Sequence, residues 1–161
     1  MNRTEANAYF AACPAGPVTD LEAVRAAFAA LGCEQSRVHY VGVCGTAGKT
    51  AVARMEALIL QEAGFACGLY TGGDLPLSER IRMADRPAPE AAFCAAAEAL
   101  AARAALPRAA AELAAACACF SAAGCDFAVT ELPETLLAPL LPDMPACAVT
   151  RLGTDGSDHT L

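Results

Sequence analysis

Lysine is all but missing from this chain. Its eleven basic residues are ten arginines and the single Lys49, set against eighteen acidic residues for a net charge of −7. So little positive charge argues against a nucleic-acid partner, because such binding needs a basic footprint. The start, Met1-Asn2-Arg3-Thr4-Glu5-Ala6-Asn7, lacks the basic and apolar regions of a secretory leader, and no uninterrupted apolar run reaches bilayer length. Neither export nor a membrane partner is therefore expected. Nine cysteines include no C-x-x-C pair, and an odd, scattered set reads as reduced, buried thiols of a cytoplasmic protein. Cys117 and Cys119 are close in sequence, but two residues apart on a helix they face away from each other, so no zinc site is expected. With 161 residues and a hydrophobic fraction of 56%, the chain suits one folded domain rather than disorder. Much of that fraction is alanine, which favours helix and packs little area per residue.

What is present is arranged around Val38-His39-Tyr40-Val41-Gly42-Val43-Cys44-Gly45-Thr46-Ala47-Gly48-Lys49-Thr50. A β-branched apolar run rises to two glycines, the sole lysine and a hydroxyl, and a helical pattern follows over 51–63. Strand, glycine-rich turn, then helix is the order that turns backbone N–H groups and a helix N-terminus toward phosphate. Gly45, Thr46, Ala47, Gly48, Lys49 and Thr50 are accordingly the expected nucleotide cradle. Lys49 supplies the point charge, and Thr50 an oxygen for Mg²⁺. The general spelling G-x-x-x-x-G-K-[ST] wants glycine where Val43 stands; Gly42 is one residue early.

Further along, Leu21, Val24, Phe28 and Leu31 recur at helical spacing behind a cap at Thr19 or Asp20, after a short apolar piece at 9–13 and a loop. Residues 65–70 read as a second strand joined to the first by a β-α-β crossover, which implies a parallel sheet. Two alanine-rich helices follow over 90–105 and 107–124. Cys125-Asp126-Phe127-Ala128-Val129-Thr130-Glu131 is expected to be a buried strand ending in a carboxylate, and 145–150 a fourth strand. In an open parallel sheet the C-terminal strand ends face the ligand crevice, so Glu131 is expected near the phosphates or, failing that, simply in water. The fold expected is α/β, a three-layer parallel-sheet nucleotide-binding domain with the P-loop at its strand ends.

The glycine offset is where a resemblance begins. Gly42-Val43-Cys44-Gly45-Thr46-Ala47-Gly48-Lys49-Thr50 resembles the G-[IV]-x-G-T-x-G-K loop of the Mur ligase superfamily, which includes muramyl peptide ligases and folylpolyglutamate synthases. Ala63-Gly64-Phe65-Ala66-Cys67-Gly68-Leu69-Tyr70-Thr71 is similar to the synthase stretch a-G-y-r-v-G-l-Y-T, and Ser78-Glu79-Arg80-Ile81 to its N-E-R-I. The resemblance then breaks, because Gly72 stands where the family has a serine that ligates magnesium. Asp74 follows, either a substitute metal carboxylate or a turn former. Glu79 and Arg80 either line a substrate cleft or form a surface ion pair.

By the same resemblance, Glu131 matches a family Mg²⁺ ligand in D-x-x-V-x-E-V-G. The glycine-rich continuation is replaced by Leu132-Pro133-Glu134-Thr135. Arg151-Leu152-Gly153-Thr154-Asp155-Gly156-Ser157-Asp158-His159 resembles T-x-I-G-x-D-H with two extra residues, making His159 either a helper of a second metal or a residue of a fraying tail.

The resemblance implies ATP and Mg²⁺ as cofactors and small-molecule substrates, a folate and glutamate. The reaction would be ATP-dependent amide formation through an acyl phosphate. It spans most of the chain, but the chain corresponds to roughly the first third of such an enzyme; it is expected to lack the C-terminal ligase domain, leaving room for a partner chain to complete the cleft. No catalytic residue is assigned. The alternatives are a relative that binds nucleotide without ligating and, more distantly, a small P-loop kinase whose lid would draw on Arg80, Arg82 and Arg86.

Overall fold

The computed structural model describes residues 1–84, 86–103, 105–133 and 135–151. The chain opens with a helix where only a short apolar piece was expected: α1 runs Arg3–Ala12. Its start is a capping box, in which the Asn2 side chain accepts from the Glu5 N–H and the Glu5 carboxylate accepts from the Asn2 N–H. Two otherwise orphaned donors are satisfied this way. The second helix, α2 (Leu21–Ala30), is capped by Asp20 and buries Val24, Ala27 and Phe28.

Then come β1 (His39–Cys44), α3 (Lys49–Glu62) and β2 (Cys67–Tyr70), the predicted β-α-β unit. A single turn of helix, α4 (Leu77–Arg80), leads into β3 (Ile81–Met83) and β4 (Arg86–Pro87); α5 (Glu90–Ala101), α6 (Arg108–Ala122), β5 (Phe127–Glu131) and β6 (Ala146–Val149) follow, and short 3-10 helices span Cys33–Gln35 and Thr135–Leu140.

These strands form one sheet in the order β4-β3-β2-β5-β1-β6. The four long strands are parallel, and β3 and β4 add an antiparallel margin beside β2. The sheet is thus mostly parallel rather than wholly so. The two extra strands are too short to carry a readable two-residue period.

Helices cover both faces, as parallel sheets require. On one side α1, α2, α5 and α6 enclose the larger core, with Phe10, Phe28, Phe93, Leu100, Leu113 and Phe120 at its centre. On the other, α3 lays Ala53 and Ala57 against Val43, Cys67, Leu69 and Val129. Alanine is what lets these helices approach closely. Helix α6 buries ten of its fifteen residues, so it has no polar face to give an amphipathic pattern. Helix α3 reverses the usual expectation, since Met55, Leu58 and Ile59 face outward at 62, 58 and 66% exposure.

All nine cysteines are free thiols, and Cys147 alone is exposed. Burial and the neighbouring Cys44 thiol, 3.8 Å away, push the Cys147 thiol up to about 11. Because the thiolate is the reactive form, a disulfide reagent at pH 8 should titrate one thiol slowly in the native protein. Cys147→Ser should remove that signal, and rapid reaction of several thiols would contradict this packing. Among the described residues no helix is long and apolar enough to cross a membrane.

Candidate functional site

Three parallel strands, β1, β5 and β2, end side by side, and their ends carry the groups the sequence singled out. Val43 of β1 pairs with Glu131 of β5, and Tyr70 of β2 with Thr130 of β5. The chain leaves β1 at Cys44, turns through 45–48 and enters α3 at Lys49. Two residues in this turn hold positive φ, Gly45 at 132° and Gly48 at 82°, a region that glycine enters without strain. At Gly45 there is no space either: a Cβ would lie 2.2 Å from Thr150 Oγ1. Glycine here is required twice over.

Lys49 begins α3, and its ammonium donates to the Gly45 carbonyl at 2.7 Å, folding over the turn that precedes it. The first turn of α3 carries no acidic residue of its own, so the positive end of the helix dipole faces the turn. One residue on, Thr50 Oγ1 donates to Glu131 Oε2 at 2.9 Å, and the same oxygen accepts the Gly72 N–H at 3.0 Å. The glutamate is only 8% exposed, a carboxylate held in place by a hydroxyl and a backbone amide. Because the hydroxyl spends its proton on Glu131, its lone pairs stay open, and Glu131 Oε1 takes no part in these bonds. That is a pair of hard oxygen donors beside an anion-seeking turn, the donor chemistry Mg²⁺ takes when phosphates complete its shell.

Gly45, Thr46, Ala47, Gly48, Lys49, Thr50 and Glu131 lie together at the C-terminal ends of β1 and β5. His159 lies outside the described residues. Asp74 is exposed in its turn, and no group of three or more His, Cys, Asp or Glu side chains suited to a metal occurs among the described residues. Gly72 contributes its backbone where the resemblance called for a serine side chain; a Cβ there would sit 3.2 Å from Glu131 Oε1.

Two features escaped the sequence reading. The first is the segment after β6. Arg151 O accepts both the N–H and the hydroxyl of Thr46 at 2.8 Å, while Thr150 Oγ1 bonds the carbonyls of Ala47 at 2.8 Å and Cys44 at 3.1 Å. Residues about a hundred positions away thus clamp the turn. Nothing local announces it.

The second is a buried ion pair. Arg80 was expected to line a cleft or to form a surface ion pair; it borders two hollows beside the loop that follows β2, and its Nη2 and Nη1 donate to the buried Glu112 Oε1 and Oε2 at 2.6 and 2.9 Å, while the Tyr70 hydroxyl donates to Glu112 Oε2 at 3.0 Å. Burial and the adjacent Glu112 charge raise Tyr70 far above the ordinary phenol range, which keeps its proton available to the carboxylate. Arg80 also donates to the carbonyls of Leu75 at 2.9 Å and Thr71 at 3.3 Å. It pins the loop whose Gly72 N–H holds Glu131. Two hollows flank that loop. A cavity of about 700 Å³ is walled by Asn7, Phe10, Gly73, Arg108 and Glu112, and a groove of about 450 Å³ by Arg54, Leu58, Leu69, Gly72 and Arg82.

This fold and motif order have counterparts. A folylpolyglutamate synthase from Lacticaseibacillus casei is 36% identical over 95 residues, which is 58% of this chain and 22% of that protein. In sequence and in fold the chain resembles folylpolyglutamate synthase. The solved synthase from Lactobacillus casei superposes on 97% of the chain with a TM-score of 0.78 at 26% identity, over 42% of its own length. A solved FPGS complex with AMPPCP and folate matches 83% of the chain at TM-score 0.72 and 31% identity, over 36% of its length. The E. coli FolC bound to DHPP and ADP matches 98% at TM-score 0.77 and 25% identity, over 40%. No family model matches. The chain therefore spans about two fifths of the length of these solved synthases, and the shared architecture is a Mur ligase-type α/β domain.

Proposed function

We propose that residues 1–161 act as one nucleotide-binding domain that takes ATP at the 45–50 turn with Mg²⁺ at Thr50 and Glu131. The observation that carries this reading is the 2.9 Å contact between Thr50 and Glu131, which sets a hydroxyl and a carboxylate beside the only lysine and the free N-terminus of α3. The similar synthases solved with AMPPCP and with ADP support it.

In this reading the backbone N–H groups of 45–50 and the Lys49 ammonium receive the phosphate oxygens, and Lys49 leaves the Gly45 carbonyl to do so. Thr50 and Glu131 would hold the metal, which when bound neutralises phosphate charge. Glu131 is kept aimed by the Gly72 N–H, itself fixed through Arg80 and Glu112. These are positioning and electrostatic duties, the main protein contribution in phosphoryl transfer. Glu131→Gln keeps the shape and removes the charge, so magnesium should be needed at roughly tenfold higher concentration for nucleotide binding. An unchanged magnesium titration would take Glu131 out of the site.

The finer reading is ligation of glutamate to a folate through an acyl phosphate. It is supported by the synthase resemblance and by a folate-bearing structural relative. The groove beside Gly72, with Arg54 and Arg82 in its wall, is where an acidic acceptor would approach the γ-phosphate. Incorporation of radiolabelled glutamate into a folate, dependent on ATP, tests it. A second reading, nucleotide binding without ligation, is favoured by Gly72 in place of serine and by Leu132-Pro133 in place of a glycine-rich turn. ATP binding with no labelled product would decide for that one.

A further inference from the structure

We infer that Arg151 is a second phosphate-contacting cation of the turn, reaching the outer phosphate of a bound nucleoside triphosphate. The inference rests on the nucleotide reading above and deepens it. Ala47 and Arg151 form an antiparallel bridge, and residues paired in this way carry their side chains to the same side of the pairing. Ala47 and Arg151 are both exposed, so the arginine stem starts beside the turn's rim in open solvent. Thr150, its neighbour, is directed the other way, onto the carbonyls of Ala47 and Cys44. No acidic side chain among the described residues is paired with Arg151.

Charge balance gives the arginine its task. A triphosphate retains net negative charge even with one Mg²⁺ bound, and Glu131 brings a further negative charge to the same place. Lys49 is the only ammonium side chain in the protein, and the helix dipole amounts to a fraction of one charge. An arginine fixed at the rim supplies the missing cation, and its planar fork suits phosphate oxygens. Its backbone is already tied to the turn by the two Thr46 bonds to its carbonyl. Those bonds survive any change of side chain, so a variant can remove the cation without unclamping the turn.

The test is calorimetry of wild type, Arg151→Ala and Arg151→Lys with magnesium-ATP and magnesium-ADP at two salt concentrations. Arg151→Ala should bind ATP about tenfold more weakly, lose clearly less affinity for ADP, and show a flatter salt dependence, with an unchanged melting temperature. Arg151→Lys should recover part of the ATP affinity. Wild-type affinity for both nucleotides in the alanine variant would overturn this role while leaving the nucleotide reading intact. Equal losses for ATP and ADP without rescue by lysine would overturn it too. A wild-type protein that binds neither nucleotide would overturn the nucleotide reading and this role with it.

Discussion

Lys49→Ala is expected to weaken magnesium-ATP binding at least about a hundredfold, a loss of about 2.8 kcal/mol, while the melting temperature stays within a few degrees of wild type. The asymmetry follows from where the side chain sits. Lys49 is half-buried at the first position of α3, and its ammonium bonds the carbonyl of its own turn rather than any group of the core. Removing it leaves that carbonyl to water, at small cost. For an anion in the turn it is a full positive charge carried by the turn's own helix, able to make charge-assisted bonds. A large fall in melting temperature would make the residue structural; retained affinity would place the phosphates elsewhere.

Glu112→Ala should do the opposite, costing roughly 3–5 kcal/mol of stability by leaving the Arg80 guanidinium buried without its partner. For a chain of this length each kcal/mol moves the melting temperature by about 2–4 °C, so a fall of about 6–20 °C is expected. Both partners are nearly inaccessible, with side-chain exposures of 8 and 10%. A double replacement, Arg80→Met with Glu112→Leu, removes both charges together and should regain most of the loss. A Glu112→Ala variant that melts with wild type would show that the pair contributes nothing to the core. Because Arg80 also holds the carbonyls of Thr71 and Leu75, the double variant should still bind nucleotide less well than wild type despite its recovered fold.

These two residues mark how far the sequence could be read. The turn was legible because its chemistry is local: Gly45, Gly48, Lys49 and Thr50 must be neighbours for a strand to pass into a helix around an anion. Glu131 was legible because a parallel sheet puts strand ends on one side. Helix α1 was missed although Asn2 and Glu5 spell a capping box, since the alanines behind it gave no clear stripe. The Arg80–Glu112 pair was hidden for the same reason, as a glutamate in an alanine-rich helix looks solvated until α6 is seen enclosed on every side. The clamp from Thr150 and Arg151 was beyond local reasoning altogether. It joins residues more than a hundred positions apart, and it depends on β6 lying next to β1, which the sequence does not dictate.

Calorimetric titration of the folded wild-type chain with magnesium-ATP tests the central claim most directly. The account predicts saturable binding at one site, lost when magnesium is chelated and lost again in Lys49→Ala. A well-folded sample that takes up no heat from magnesium-ATP at millimolar concentrations would contradict it.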